Sequence, residues 1–179
     1  MNEAITLAVS LWCVATPVSG AETPPPLDGP RQIFRDELVE RLPGKWRLRG
    51  TLVGEAVDHS VQIDWVLNHQ FLRLHEKAAA PSKSGLLYEA MVFIGRDNAS
   101  ERYVAHWIDV FGGRFSETLG YGRRDGTTIE FLFEYPDGPF RTSFRWDPEG
   151  KSWHWLMRQK TPLGAWKDFL VATLVPDSG

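Results

Sequence analysis

The chain predicts an all-β fold: about ten antiparallel strands in up-and-down order, closing into a barrel, with a short helix before the first strand. Three observations predict it. Apolar residues alternate with period two over most of the chain from Lys45 onward. Turn signals punctuate that pattern at nearly even spacing. The segments between turns are too short for crossovers, so each strand pairs antiparallel with its sequence neighbour, and a twisted sheet of about ten strands tends to close on itself.

The N-terminus comes first. Ile5 to Thr16 is apolar and of signal-peptide length; as a helix it would span about 18 Å, too short for a bilayer. Small residues follow at Val18-Ser19-Gly20 and Ser19-Gly20-Ala21, as at a cleavage site. The n-region has no Lys or Arg and carries Glu3, so the alternative is a plain N-terminal extension. The expectation is a signal peptide over 1–21, export to the periplasm or beyond the cell, and no stable membrane insertion. Residues 22–29 are a Pro-rich spacer, and 30–179 form a single domain.

Within that domain, residues 30–42 predict the helix. Pro30 suits a first turn, Ile33, Phe34, Leu38 and Leu42 make a narrow apolar stripe, and Pro43-Gly44 ends it. Strand patterning follows. Val61, Ile63, Trp65 and Leu67 alternate with Gln62 and Asp64; Ile129, Phe131, Phe133 and Tyr135 alternate with Thr128, Glu130 and Glu134; Phe140, Thr142, Phe144 and Trp146 alternate with Arg141, Ser143 and Arg145. Turns fall at Asn68-His69, 81–85, 96–100, Gly112-Gly113, Asp125-Gly126, 136–138, 148–150 and 161–164.

Composition narrows the function. A net charge of −3 offers no basic excess for nucleic acid. Cys13, the only cysteine, lies in the expected signal, which excludes thiol catalysis, disulfides and cysteine-ligated metals from the mature domain. No H-E-x-x-H, phosphate loop or nucleophile elbow occurs, and no two histidines have metal-binding spacing on one strand face, so neither metal nor cofactor is expected. Eight tryptophans can fill a core or line a pocket for a flat or greasy ligand.

Leu42-Pro43-Gly44-Lys45-Trp46 resembles the G-x-W signature of the calycin superfamily. With the Trp65 strand, His106-Trp107-Ile108-Asp109, Gly122-Arg123-Arg124-Asp125-Gly126 and Trp166-Lys167-Asp168-Phe169, the chain from Pro43 to Val175 resembles a bacterial family known as domain of unknown function 1579. The resemblance implies a calycin-like barrel whose G-x-W tryptophan closes the bottom, and it implies no reaction. A lipocalin proper would add an arginine near the last strand, for which Arg158 could stand, and a disulfide.

Candidate site residues follow from face assignments. In Tyr103–Phe115, His106 shares a face with Val104, Ile108 and Val110, and Asp109 shares the other with Tyr103, Ala105 and Trp107. Residues i and i+3 point opposite ways, so His106 and Asp109 form no dyad, and one of them faces the cavity. The plainer reading makes His106 a satisfied core residue and has Asp109 bond turn amides. Glu117 shares a face with Phe115, Leu119 and Tyr121, which predicts a buried acid. His75 shares a face with Phe71, Arg73 and Lys77, the exterior. Trp153 and Trp155 share a face with Met157, as core or pocket wall.

The leading function is an exported barrel binding a small apolar or aromatic molecule, its walls drawn from Trp65, Tyr103, Trp107, Tyr121, Trp153 and Trp155. One alternative is a cofactor-independent isomerase, cyclase or lyase using one cavity acid or base among His106, Asp109 and Glu117. Another is a haem-binding barrel resembling the nitrobindins, with His106 or His154 as proximal ligand; His154 lies opposite Trp153 and Trp155, so they cannot all face inward.

Overall fold

A computed structural model describes residues 33–97 and 99–177. The expected signal peptide, the spacer and residues 30–32 of the expected helix lie outside them. Ten strands run in order: β1 (Gly44–Leu52), β2 (Glu55–Val66), β3 (Phe71–Ala78), β4 (Glu89–Asp97), β5 (Arg102–Asp109), β6 (Leu119–Asp125), β7 (Thr128–Tyr135), β8 (Gly138–Asp147), β9 (Ser152–Lys160) and β10 (Trp166–Pro176). Each pairs antiparallel with its sequence neighbours, and β1 pairs with β10 from Trp46↔Pro176 to Leu52↔Leu170, closing the barrel. Closure leaves no free edge, which removes the main aggregation liability of a sheet.

The expected helix does not form over the described residues 33–42. They hold a single 3-10 turn, Val39–Arg41. Asp36 sets that turn: its Oδ1 accepts from the amides of Leu38 at 2.8 Å and Val39 at 3.1 Å, as a capping carboxylate does. Of the expected apolar stripe, Ile33 is exposed. Phe34, Leu38, Val39 and Leu42 are all buried, but they serve a plug across one end of the barrel, and a plug needs a compact turn more than a rod. Trp46 closes the same end, donating its indole N–H to the Leu42 carbonyl at 2.8 Å. Phe34 packs on Trp65 and Tyr103, and Trp65 stacks on His69 at 3.8 Å.

Alternation decides the interior. Leu48, Ile63, Leu72, Leu74, Ile129, Phe131, Phe133, Phe144, Trp153, Trp155 and Leu174 are fully buried, and outward neighbours such as Glu130 and Arg145 are exposed. In β10 a bulge between Asp168 and Leu170 brings both Phe169 and Leu170 onto the core, as an extra residue in one strand permits.

The faces of β6 reverse the expectation. Gly120 and Gly122 point inward, while Leu119 and Tyr121 are exposed. The cause lies on β7: Phe133, paired with Gly120, puts its ring where a Cβ would stand, with ring atoms 2.4 Å from that position. The aromatic ring supplies the volume the glycine lacks. Gly120→Ala is therefore expected to destabilise the barrel by about 1–3 kcal/mol, since Phe133 must leave its rotamer. Urea denaturation checks this; a cost within about 0.3 kcal/mol would mean that the ring does not fill the space.

Candidate functional site

The end opposite the plug carries the loops 53–54, 79–88, 110–118, 136–137 and 161–165. Just inside it lies the polar cluster of the interior. His59 on β2 and Glu76 on β3 are both buried, at 8% and 3% exposure. His59 Nδ1 lies 2.6 Å from Glu76 Oε1. Each occupies an inward position of its strand, in line with Val61 and Ile63 on β2 and with Leu72 and Leu74 on β3. A carboxylate on Nδ1 fixes the ring and leaves Nε2 as the second functional nitrogen; Nε2 makes no hydrogen bond among the described residues.

Three more groups complete the cluster. Tyr88, at the end of the 79–88 loop, packs its ring against His59 with centroids 5.8 Å apart. Its hydroxyl accepts from the Trp107 indole N–H at 3.3 Å, which leaves the phenolic proton free to donate. Burial, and then the charges of Glu76 and Asp109, push the Tyr88 phenol far above its ordinary range, so it stays protonated. Asp109 ends β5, and its Oδ1 accepts from the Phe111 amide at 2.9 Å. Burial raises its carboxyl, and the Phe111 amide and Trp107 indole partly offset this. Tyr135 on β7 is pushed up to about 12, by burial first and by Asp109 second.

Aromatic walls surround this group. Trp107 packs against Trp155 at 5.8 Å, and Trp155 donates to Thr142 Oγ1 at 2.9 Å. Phe133 stacks on Tyr135 at 5.4 Å, and Tyr135 packs edge-on against Phe140. The cluster thus offers an imidazole, two carboxyls and a phenolic donor in a setting where each interaction is strengthened by the surrounding low dielectric.

The residues singled out from the sequence divide. Trp107 and Asp109 belong to the cluster, and Trp155 backs it. Asp109 bonds a turn amide, as the plainer reading had it. Tyr103 also faces inward but at the plugged end, where its hydroxyl donates to Asp36 Oδ2 at 2.6 Å. Trp153 lies at that end too, with its indole 3.4 Å from the Arg41 carbonyl. Trp65 is half-buried beside the plug. His106 faces outward and donates from Nε2 to the Ser116 carbonyl at 2.7 Å. His154 is on the outer side of β9, 3.9 Å from Asp147. Neither imidazole invoked for haem therefore reaches the interior.

Two expectations are overturned. Glu117 is exposed, not a buried acid: Gly112 adopts φ 82° and starts a short helix, α1 (Gly113–Ser116), so Glu117 ends a helical turn instead of continuing a strand. Tyr121 lies on the outer face with the Arg102 guanidinium 4.5 Å from its ring. His75 is outside as expected, paired with Glu89 at 2.5 Å. His59, Glu76 and Tyr88 were not singled out from the sequence.

No group of three or more His, Cys, Asp or Glu with metal-holding geometry occurs among the described residues, and no helix among them is long and apolar enough to cross a membrane. Compared with protein-family models, the chain matches none, and no curated protein matches it either. The calycin likeness therefore stands on the closed ten-stranded antiparallel barrel itself.

Proposed function

We propose that this chain binds a small apolar or aromatic molecule at the loop end of the barrel, the polar end of the ligand engaging His59, Tyr88 and Asp109. The observation that carries the reading is the buried His59–Glu76 pair among aromatic walls. Burying ionisable groups is costly, and their place beneath a ring of loops suits a ligand's polar group. Apolar loop residues at the same end, Val53, Leu86, Leu87, Val110, Phe111 and Leu163, are exposed and suit a greasy ligand on its way in. The 79–87 segment is exposed throughout and leads directly into Tyr88. Export by the 1–21 signal, to the periplasm or outside the cell, belongs to the reading, as does membership of the calycin-like group resembling domain of unknown function 1579. Nucleic acid is no partner in it.

Titration with N-phenyl-1-naphthylamine, whose emission rises in apolar sites, tests it. A saturable one-to-one rise is expected, weakened at least tenfold in Trp107→Ala with the far-ultraviolet circular dichroism unchanged. No saturable rise, or equal binding by the variant, would remove the reading.

A further inference from the structure

We infer that the loop-end cluster is a proton-transfer site, with His59 as the base, for a small apolar or aryl ketone bearing an acidic α-hydrogen. The inference rests on the ligand-binding reading and gives it a substrate class and a chemistry. Four observations lead to it. Glu76 holds Nδ1 of His59 at 2.6 Å, which fixes the tautomer and aims Nε2 away from the carboxylate, the arrangement in which a third group orients a base. Tyr88 stands against the same imidazole, its hydroxyl bonded by the Trp107 N–H and its own proton unspent. Donor and base thus sit on neighbouring rings, their centroids 5.8 Å apart. The walls, Trp107, Tyr135 and Phe140, are aromatic, as an aryl ketone would require.

The step balances without a co-reactant. Nε2 of His59 removes the α-proton, the C–H electron pair becomes the new C=C bond, and the carbonyl π pair moves onto oxygen, where the Tyr88 O–H holds the enolate. Return of the proton to the same carbon gives exchange; return to a conjugated carbon gives an isomer. The donor acts where negative charge develops, so it favours the transition state over the bound ketone. Glu76 touches no substrate and is a positioning residue. Glu76 on β3 and Tyr88 on its loop meet the base directly, and Asp109 on β5 and Tyr135 on β7 act on Tyr88.

The test is α-deuterium incorporation into 2-tetralone in D2O, followed by mass spectrometry, with binding read separately as displacement of N-phenyl-1-naphthylamine. The intact protein is expected to exchange about 100-fold faster than His59→Gln, the scale of a positioned base. That variant keeps an amide donor toward Glu76 and so keeps the fold. Tyr88→Phe should lose roughly tenfold in rate and little in binding. Glu76→Gln should displace the pH profile of the exchange, which a merely structural role would leave in place. Displacement without exchange, or exchange equal in His59→Gln, overturns the inference and leaves the ligand reading standing. If the naphthylamine binds and 2-tetralone does not displace it, the ketone class is wrong and the inference fails. If neither binds, the ligand reading falls as well.

Discussion

Glu76→Ala is expected to destabilise the protein by about 3–5 kcal/mol, the cost of leaving one member of a buried pair without its partner. The side chains of His59 and Glu76 are 10% and 5% exposed, so water replaces the missing carboxylate poorly. For a chain of this size the loss corresponds to a fall in Tm of roughly 10 °C. Salt should change it little, because buried pairs are weakly screened. The double variant His59→Leu/Glu76→Leu should recover most of the loss, since apolar residues of similar volume can replace a buried pair at little cost. Urea denaturation of both singles and the double closes the cycle. A single-variant cost below about 1 kcal/mol would show that water reaches the pair freely. A stable double variant would mean that the fold does not need the pair, which points to function as the reason for it.

How much of this was legible in the sequence depends on the residue. Strand order and pairing followed from turn spacing, because short turns permit little besides neighbour pairing. Closure was expected from strand number, since a twisted sheet of about ten strands tends to close on itself, and β1 meets β10, more than a hundred residues away, as that requires. On β5 the alternation rule worked: it put Trp107 and Asp109 on one face and His106 on the other, and the inner face is that of Trp107. The same rule, applied to β2 and β3, would have found His59 and Glu76, which were not singled out. His59 keeps step with Val61 and Ile63, and Glu76 with Leu72 and Leu74. Polar residues within an apolar face are the signal that was there to read. Tyr88 carried none, because the end of an irregular loop has no period. The β6 reversal was illegible for another reason. Leu119 and Tyr121 look like the inner face until Phe131 and Phe133 are seen to occupy the space inside Gly122 and Gly120, and that is a property of pairing between strands.

The plug gives the second large effect. Asp36→Ala should cost about 2–4 kcal/mol, because one side chain carries several duties. It caps Leu38 and Val39, accepts from Tyr103 at 2.6 Å and meets both Arg124 contacts, at 3.1 and 3.2 Å. A lost cap alone costs about 1 kcal/mol, and hydrogen bonds to a charged group contribute about 1.5–3 kcal/mol. Burial by itself would push the Asp36 carboxyl up, but the bonds from Tyr103, Val39, Leu38 and Arg124 together outweigh it and hold the group below the usual range. The sign of the pH dependence follows. The unfolded chain takes up this proton near pH 3.9, while the folded protein does so only at lower pH. The contribution is thus complete above about pH 5, and it drains away as pH falls through the depressed folded value. The intact protein should therefore lose stability more steeply than Asp36→Ala between about pH 4 and pH 2, and the two curves should converge at the acid end. Parallel curves would mean that the carboxylate's charge contributes nothing. Tyr103→Phe separates the bond from the cap: it should cost about 1 kcal/mol and flatten the acid slope only in part, since the amides and Arg124 still hold the carboxylate ionised. Because this plug seals the end away from the His59 cluster, Asp36→Ala should lower stability while leaving naphthylamine binding in the folded fraction unchanged.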